Sequence, residues 1–376
     1  MAAVYRAEHI GSLLRPTELL EARDSHQRGK KTSEELREIE DESIFKALEL
    51  QRQVGVSVYS DGEYRRAWFA GAFEESAEGI ITDIDGPVDS RWQGQGRDHA
   101  IATAADLSLT KRAVGARLKQ VRRLTAHESS FLREHAPGPF KVTLPGVMTR
   151  AIVWYKPGLT DGFYPTRSDL VQDMVGMVQR EVTALVSEGV SYIQLDSLDY
   201  VIRLADPGTR NRMKQAGEDP EKELEATIAA DNASLNSARG TGVTVALHMC
   251  RGNNRSAWIA EGGYEFAAEK AFNTLQVDRF LLEYDTERAG GFEPLRFMPK
   301  DKTVVLGLIS TKDPTLESVD QMLQRIDEAS KYVSIDNLAI SPQCGFASTS
   351  PGNLLSWDDQ KKKLELVVEV ARKAWG

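Results

Sequence analysis

The 376-residue sequence contains only two cysteines, Cys250 and Cys344. Small secreted domains that depend on disulfide frameworks are rich in cysteine, so this class of protein is excluded. The count allows one disulfide between the two cysteines, but nothing else in the sequence indicates an oxidising compartment. Because both cysteines belong to motifs at the ends of predicted strands, each is a candidate for a reactive or metal-binding thiol.

The sequence also lacks a long apolar run and an excess of positive charge. No stretch approaches the ~20 apolar residues of a membrane-spanning helix, and the first residues, MAAVYRAEHIGS, contain no apolar signal-peptide core. The 47 Lys and Arg residues are outnumbered by 56 Asp and Glu residues, which gives a net charge of -9 at pH 7. Nucleic acids and anionic membranes attract positive surfaces, so we expect neither as a partner. We expect a cytoplasmic enzyme.

Short β-forming stretches recur along the chain, and most of them are followed by a helical pattern. The stretch at 303–309 is nearly all apolar, as strands buried on both faces of a sheet are. Eight βα units in a chain of this length predict an α/β fold, a (β/α)8 TIM barrel, with residues 1–376 as a single catalytic domain. A doubly wound sheet is the alternative that the strand count leaves open. The predicted strands lie at 9–12, 54–59, 140–146, 192–196, 243–250, 280–284, 303–309 and 338–342.

Residues from about 64 to 139 interrupt this alternation. They include a Gly- and Gln-rich stretch at 93–96 and a run rich in Lys and Arg at 111–123. We interpret them as an insertion after the second strand, made of a hairpin and helices, and not as a separate domain. The basic run is predicted to form the solvated face of a helix.

The stretch from Val243 to Asn253, VTVALHMCRGN, carries the clearest chemical signal. It is typical of a strand that ends in a turn, and alternation along a strand places His248 and Cys250 on the same side. An imidazole and a thiol that project together are two ligands suited to Zn2+. The alternative at this point is a buried histidine beside a buried cysteine, without any ligand.

Polar or metal-binding side chains follow most of the predicted strands. In a (β/α)8 barrel the carboxyl ends of the strands form the rim that carries the chemistry. Two thiolates and an imidazole suit tetrahedral zinc, and a carboxylate can hold the fourth position until a substrate replaces it. The predicted zinc ligands, drawn from three strands, are His248, Cys250, Glu283 and Cys344.

These motifs, in this order, resemble the catalytic half of cobalamin-independent methionine synthase. The resemblance rests on HIGS, DGE, IQLDS, HMC, the glutamate of LLEYD, and PQCG, and it extends from residue 9 to the last helix. The length fits the short, single-barrel members of that superfamily. The resemblance implies a (β/α)8 barrel, Zn2+ bound by the four predicted ligands, and methyl transfer to homocysteine.

The resemblance also implies which residues hold the acceptor. Ser12, Glu63 and Asp196 fall where the family holds the amino acid part of homocysteine. The two carboxylates suit an ammonium group, and Ser12 or its backbone can reach a carboxylate. The alternative for each acidic residue is a salt bridge at a strand end.

Two features depart from the family pattern, and both concern the methyl donor. Ser310 stands where the family has a histidine thought to protonate the folate leaving group, and Lys312 is the nearby alternative. The folate-stacking tryptophan is out of register, with Trp154 near its position. We therefore predict catalytic roles for Asp196, Ser310 and Lys312 and a substrate contact for Trp154.

The sequence thus predicts a zinc-dependent methyltransferase that moves a methyl group from a small donor to a thiol. The donor is a methyl-folate, a methylcorrinoid or another small molecule, and homocysteine is the expected acceptor. The alternative is a thiol alkyltransferase of the epoxyalkane–coenzyme M type, with Arg66 or Arg251 binding the sulfonate. A zinc hydrolase or decarboxylase is disfavoured because two thiolate ligands make zinc a poor Lewis acid. A structural zinc in a binding protein does not account for the many titratable groups at the rim.

Overall fold

The computed structural model describes residues 5–82, 84, 91–107 and 111–376, so parts of the predicted insertion lie outside the described residues. The strands of the described chain, in order, are β1 (Ala77–Ile81), β2 (Ala113–Gln120), β3 (Lys141–Pro145), β4 (Tyr192–Asp196), β5 (Thr244–Met249), β6 (Arg279–Glu283), β7 (Thr303–Ile309) and β8 (Leu338–Pro342). The α-helices are α1 (Thr17–Gln27), α2 (Ser33–Val54), α3 (Gly71–Ser76), α4 (Arg97–Asp106), α5 (Ala126–His135), α6 (Val147–Trp154), α7 (Arg167–Ser187), α8 (Asp199–Ile202), α9 (Pro207–Gln215), α10 (Pro220–Leu235), α11 (Glu265–Thr274), α12 (Val319–Ser330) and α13 (Trp357–Trp375).

Strands β3 to β8 form one parallel sheet in chain order. Two N-terminal segments, 5–10 and 56–61, complete the ring of the (β/α)8 barrel. Ala7 forms a parallel bridge with Ile340 of β8, and Tyr59 forms one with Phe140 beside β3. The Ser57 N–H donates to the Ala7 carbonyl at 2.7 Å. Two backbone hydrogen bonds join each segment to the sheet, and one joins the segments to each other, in place of continuous ladders.

Alternation along the strands sorts their side chains between the barrel interior and the surrounding helices. Tyr192, Ala246 and Leu281 belong to a small apolar cluster inside the barrel, whereas their sequence neighbours pack with the helices in the main core. Counting by twos along the same strands brings Asp196, His248 and Glu283 to the interior side at the carboxyl ends. The alternation of side chains along the strands thus places these three residues at the mouth of the barrel.

Local sequence signals start and stop the long helices. In α7 the Thr166 side chain accepts the Asp169 N–H, and the Asp169 carboxylate accepts the Thr166 N–H, which is a capping box. Gly189 follows the helix with φ of 78°, a conformation that glycine adopts without strain. The sequence predicts an amphipathic helix over 168–188 that ends at Gly189, and the structure confirms it. In the described chain no helix has the length and apolar character needed to cross a membrane.

The predicted strand from Val54 to Tyr59 was wrong over most of its length. Helix α2 continues through Val54, whose side chain is on the buried face of the helix, and ends at Gly55 with φ of 84°. After that turn only Tyr59 pairs with a neighbouring residue, as an isolated bridge. The valines at this junction alternate like a strand, but the first of them completes a helix.

The described residues of the segment 64–139 contain an antiparallel pair of strands, β1 and β2, together with α3, α4 and α5. The basic run, however, is mostly strand β2, so its prediction as a helix face was wrong. Arg117 and Lys119 are exposed on either side of the partly buried Leu118. This is the two-residue period of a strand, and pairing with β1 stabilises it.

Candidate metal centre and substrate pocket

Three metal-binding side chains converge at the mouth of the barrel, and we call them the His/Cys cluster: His248, Cys250 and Cys344. Their ligand atoms all lie within 4.8 Å of one another, and all three residues are buried. Cys344 Sγ is 3.7 Å from His248 Nε2 and 3.6 Å from Cys250 Sγ. Ligands bound tetrahedrally at ~2.0–2.3 Å stand roughly 3.5–3.8 Å apart, so these separations suit a zinc ion.

A hydrogen bond to a backbone carbonyl orients the imidazole of His248. The Leu281 carbonyl oxygen lies 3.2 Å from His248 Nδ1. A carbonyl only accepts, so Nδ1 carries a hydrogen and Nε2, on the Cys344 side, is the nitrogen left to bind a metal. Burial disfavours the charged imidazole, but the hydrogen bond and charge of Cys344 outweigh it and raise the pKa of His248.

The two cysteines are free thiols, and their 3.6 Å separation is far longer than the ~2.05 Å of a disulfide bond. The hydrogen bond between the sulfurs, helped by His248, lowers the pKa of the Cys344 thiol well below its usual range. The same hydrogen bond, together with burial, raises the pKa of Cys250. A divalent cation bound to both sulfurs would favour the thiolate form of each. The donor set fits zinc.

Glu283, the fourth predicted ligand, is engaged by cations. Its Oε1 accepts a hydrogen bond from Arg288 Nη2 at 2.6 Å, and its Oε2 accepts the Arg251 N–H. Burial by itself would raise the pKa of Glu283, but the charges of Lys312, Arg251 and Arg288 lower it to about 2. Within the described residues the His/Cys cluster does not include Glu283. Its role as a zinc ligand stays a prediction.

A narrow cavity of about 30 Å³ adjoins the His/Cys cluster. The cluster forms part of its wall, and so do Ser12, Glu63 and Asp196. The structure thus brings the residues predicted to hold an amino acid into the same cavity as the residues predicted to hold the metal.

Glu63 is a buried carboxylate in a strained backbone conformation. Its φ of 58° is uncommon for a residue other than glycine. The Thr143 hydroxyl donates to Oε1 at 2.8 Å, whereas Oε2 is buried without a hydrogen-bond partner. A Cβ atom at Gly11 would lie 2.8 Å from Oε1, so glycine in the HIGS motif allows this close approach. An unpaired buried oxygen beside a cavity is suited to a cationic ligand group.

Asp196 and Glu63 are both held at raised pKa values by burial. Burial raises the pKa of Glu63 to about 7, with Arg66 opposing the shift and Asp196 adding to it. Burial also raises the pKa of Asp196, whose Oδ1 accepts a 2.8 Å hydrogen bond from Gln194 Nε2. An ammonium group in the cavity would stabilise the ionised form of both carboxylates.

The residues predicted on the donor side lie farther from the cavity. Trp154 is fully buried in the main core, with its ring 6.4 Å from that of Phe73, and it does not line the described wall of the cavity. The Ser310 hydroxyl accepts the Lys312 N–H at 3.2 Å. Lys312 Nζ donates to Asn253 Oδ1 at 3.3 Å, and Asn253 lines the cavity. Of the three, Lys312 is therefore within one hydrogen bond of the wall, and their catalytic or binding roles stay predictions.

Asn253 is a site residue that the sequence analysis did not assign. Its Nδ2 donates to the Gly345 carbonyl at 2.6 Å and to Ser348 Oγ at 3.0 Å. It therefore ties the turn that carries Cys250 to the turn that carries Cys344. Its place three residues after the HMC motif was a usable signal, since strand ends form the rim. Phe69, Leu198 and Ser348 also line the cavity, and no local pattern marked them.

The sequence of residues 6–373 matches the family described as "Cobalamin-independent synthase, Catalytic domain". The chain belongs to this family. It is 35% and 36% identical to the uncharacterized proteins YxjH and YxjG of Bacillus subtilis (strain 168), each over 376 residues that cover 99% of this chain and 95% of the relative. A methionine synthase of Sulfolobus acidocaldarius is 23% identical over 338 residues, which cover 89% of this chain and 84% of the relative.

Two solved structures share this fold. The putative vitamin-B12 independent methionine synthase of Listeria monocytogenes superposes with a TM-score of 0.72 and 26% identity, covering 100% of this chain and 99% of that one. The B12-independent methionine synthase of Shewanella sp. W3-18-1, solved with selenomethionine, gives a TM-score of 0.71 at 20% identity, covering 99% and 98%. The (β/α)8 fold and the family expected from the sequence are confirmed.

The two arginines considered for binding a sulfonate are already engaged. Arg66 Nε donates to Glu128 at 2.6 Å, and its Nη1 donates to the Phe69 carbonyl at 3.1 Å. Arg251 Nη2 donates to the Gly262 carbonyl at 2.7 Å, and its Nη1 lies 3.6 Å from Glu283. Neither arginine lines the described wall of the cavity. The geometry therefore gives no support to the coenzyme M alternative.

Proposed function

We propose that this protein is a zinc-dependent S-methyltransferase that transfers a methyl group from a small donor to homocysteine, giving methionine. One observation carries the proposal: a single cavity holds the zinc-spaced His/Cys cluster and a pair of buried carboxylates, Glu63 and Asp196. The His/Cys cluster would activate a thiol, and the two carboxylates would recognise the ammonium group of an amino acid. Membership of the cobalamin-independent synthase family and the methionine synthase activity named for several relatives support it.

The residues of the chain divide between these tasks. His248, Cys250 and Cys344 would hold the zinc, with Glu283 as the predicted fourth ligand. When bound, zinc lowers the pKa of a coordinated thiol, so that the acceptor reacts as a thiolate. Glu63 and Asp196 would orient the ammonium group of homocysteine, and Ser12 its carboxylate. The carboxylates thereby select the acceptor, while the cysteines and histidine supply its reactivity.

The surroundings of Ser310 and Lys312 lead to an expectation about the methyl donor. The nitrogen of a methyl-folate leaves poorly until it is protonated, so an acid must stand beside it. Ser310 is too weak an acid for this task at neutral pH, although its hydroxyl oxygen accepts the Lys312 N–H. A corrinoid cobalt or a sulfonium leaves without a proton. We therefore expect methylcobalamin or S-methylmethionine to be a faster donor than methyltetrahydrofolate.

The test is single-turnover methionine formation by the zinc-loaded protein with homocysteine and each of these three donors. Coenzyme M replaces homocysteine in a parallel series. Cys344→Ser should lose zinc and at least ~100-fold of the rate while keeping the far-UV circular dichroism of the wild type, since it removes one of the two thiolates from the ligand set. Formation of methionine at equal rates by zinc-free protein, or methylation of coenzyme M in place of homocysteine, would refute the proposal. If methyltetrahydrofolate is the fastest donor, the expectation drawn from Ser310 is wrong.

A further inference from the structure

A fully buried polar network lies inside the barrel beneath the substrate cavity. Glu8 is at its centre, on the N-terminal segment 5–10, and neither Glu8 nor Lys141 of β3 is exposed. The Glu8 carboxylate accepts hydrogen bonds from Arg279 Nη2 at 2.8 Å, from the Tyr192 hydroxyl at 3.0 Å and from Lys141 Nζ at 3.4 Å. Groups buried this deeply are costly unless each is paired, so the network is a specific arrangement.

Gln194 connects this network to the cavity. Its Oε1 accepts a hydrogen bond from Lys141 Nζ at 2.8 Å, while its Nε2 donates to the Ile10 carbonyl at 2.6 Å and to Asp196 Oδ1 at 2.8 Å. An ammonium only donates and a carbonyl only accepts, so these partners fix which end of the amide faces Asp196. The Gln194 amide therefore couples the position of Lys141 to the position of the Asp196 carboxylate.

The distances within the network point the same way. Lys141 Nζ lies 2.8 Å from Gln194 Oε1 and 3.4 Å from the Glu8 carboxylate. The closer contact of the Lys141 ammonium is therefore with Gln194, the residue that binds Asp196.

We propose that Gln194 and Lys141 are positioning residues that hold the Asp196 side chain in place and aim it at the ammonium group of the acceptor. Gln194 occupies Oδ1, which leaves Oδ2 of this cavity-lining carboxylate for a ligand. Neither Gln194 nor Lys141 lines the cavity, so both act through Asp196 and touch no substrate. The inference rests on the proposed function, because it takes the ligand to be an amino acid.

The experiment compares two thiols that differ only in the amino group, L-homocysteine and 4-mercaptobutyrate. Their dissociation constants are measured by isothermal titration calorimetry on zinc-loaded wild type, Gln194→Met and Lys141→Met. One charge-assisted hydrogen bond is worth about 1.5–3 kcal/mol, so misdirecting Asp196 should weaken homocysteine binding by ~10-fold or more. Binding of 4-mercaptobutyrate should change less than about twofold, because it presents no ammonium.

Tyr192→Phe is the matched control. It removes a hydrogen bond to the same Glu8 carboxylate but leaves the contacts of Gln194 in place. It should bind both thiols as the wild type does. Equal weakening of both thiols in the Gln194 and Lys141 variants, or no weakening of either, would overturn the inference. If the wild type itself shows no preference for homocysteine, the proposed acceptor fails and the inference fails with it; a wild-type preference that survives in both variants removes the inference alone.

Discussion

At the scale of single residues, the ionisation of Glu63 decides how the cavity receives a cationic ligand. The carboxyl group is buried, one of its oxygens has no hydrogen-bond partner, and burial raises its pKa to about 7. Near neutral pH the empty site therefore contains a mixture of neutral and ionised Glu63. Binding of an ammonium group draws the residue into its ionised form.

We expect Glu63→Gln to raise the KM for homocysteine by about 10-fold or more at pH 8, because it replaces a charge-assisted hydrogen bond with a neutral one. In the wild type KM should fall as the pH rises through about 7, whereas the variant should lack this dependence. Steady-state kinetics between pH 6 and 9, with zinc content measured in parallel, provide the check. A KM that is unaltered at pH 8 would show that Glu63 does not contact the acceptor.

The same pKa shift makes an independent prediction for the stability of the ligand-free protein. An unfolded glutamate titrates near about 4.3, so between that pH and about 7 the folded state keeps a proton that the unfolded state has lost. The contribution of Glu63 to stability is thus present at low pH and is lost as the pH rises. The unfolding free energy of Glu63→Gln, measured relative to that of the wild type by urea denaturation, should therefore increase by roughly 1–3 kcal/mol when the pH is raised from 5 to 8. An equal difference at both pH values would contradict the assignment.

At the scale of structural elements, the segment 91–107 packs directly on the turn that follows the metal-binding strand β5. Gln93 exchanges two backbone hydrogen bonds with Trp258, and the Asn254 side chain donates to the Ala100 carbonyl at 2.9 Å. Trp258 in turn stacks on Arg288, at 4.9 Å from its ring centre, and Arg288 binds Glu283. A continuous set of contacts therefore joins this segment to the candidate metal centre.

Gly96→Ala tests that packing. A Cβ atom at Gly96 would lie 1.6 Å from the Arg255 carbonyl oxygen, so the two backbones must separate. We expect a loss of about 1–3 kcal/mol in stability, faster proteolytic cleavage within 91–107, and a change in tryptophan fluorescence. Gly162→Ala is the control, because a Cβ atom there meets nothing within 4 Å. Cleavage at the same rate in both variants and the wild type would show that the contact is not maintained in solution.

At the scale of the whole molecule, Glu8 joins the N-terminal segment to two distant strands. It binds Arg279 of β6 and Lys141 of β3 inside the barrel. The segment has few backbone hydrogen bonds to its neighbours, so these side-chain contacts contribute to closing the ring. Removing one partner from a buried ionic network typically costs about 3–5 kcal/mol, because it leaves buried charges uncompensated.

We therefore expect Glu8→Gln to lower the unfolding free energy by about 3–5 kcal/mol, measured by urea denaturation. If closure of the barrel is part of one cooperative fold, the unfolding transitions measured by circular dichroism and by tryptophan fluorescence should shift together to lower urea concentrations. Tyr192→Phe, which deletes a single hydrogen bond to Glu8, should cost only about 1 kcal/mol. A shift no larger than that of Tyr192→Phe would show that the ion pairs do not hold the barrel closed.

The sequence by itself determined the elements and the order of the site residues. The predicted bounds of β4, β7 and β8 agree with the structure, because apolar runs are local signals. The convergence of His248, Cys250 and Cys344 was equally predictable, since parallel strands of one barrel end at the same rim. At the junction of α2 with the segment 56–61 two local patterns overlapped, and there the prediction was wrong.

Only the tertiary structure decided which groups face one another. Alternation assigns a side chain to a face of the sheet, but its partner depends on the register and packing of elements distant in sequence. Lys141 contacts Glu8 across 133 positions, and no pattern in either strand shows that Gln194 will carry this contact up to Asp196. The engagement of Glu283 by Arg288 likewise depends on how the turn after β6 folds back over the rim. The periodicity of the sequence thus determined where the predicted metal ligands lie along the strands. The packing of distant elements determined which charged groups surround them.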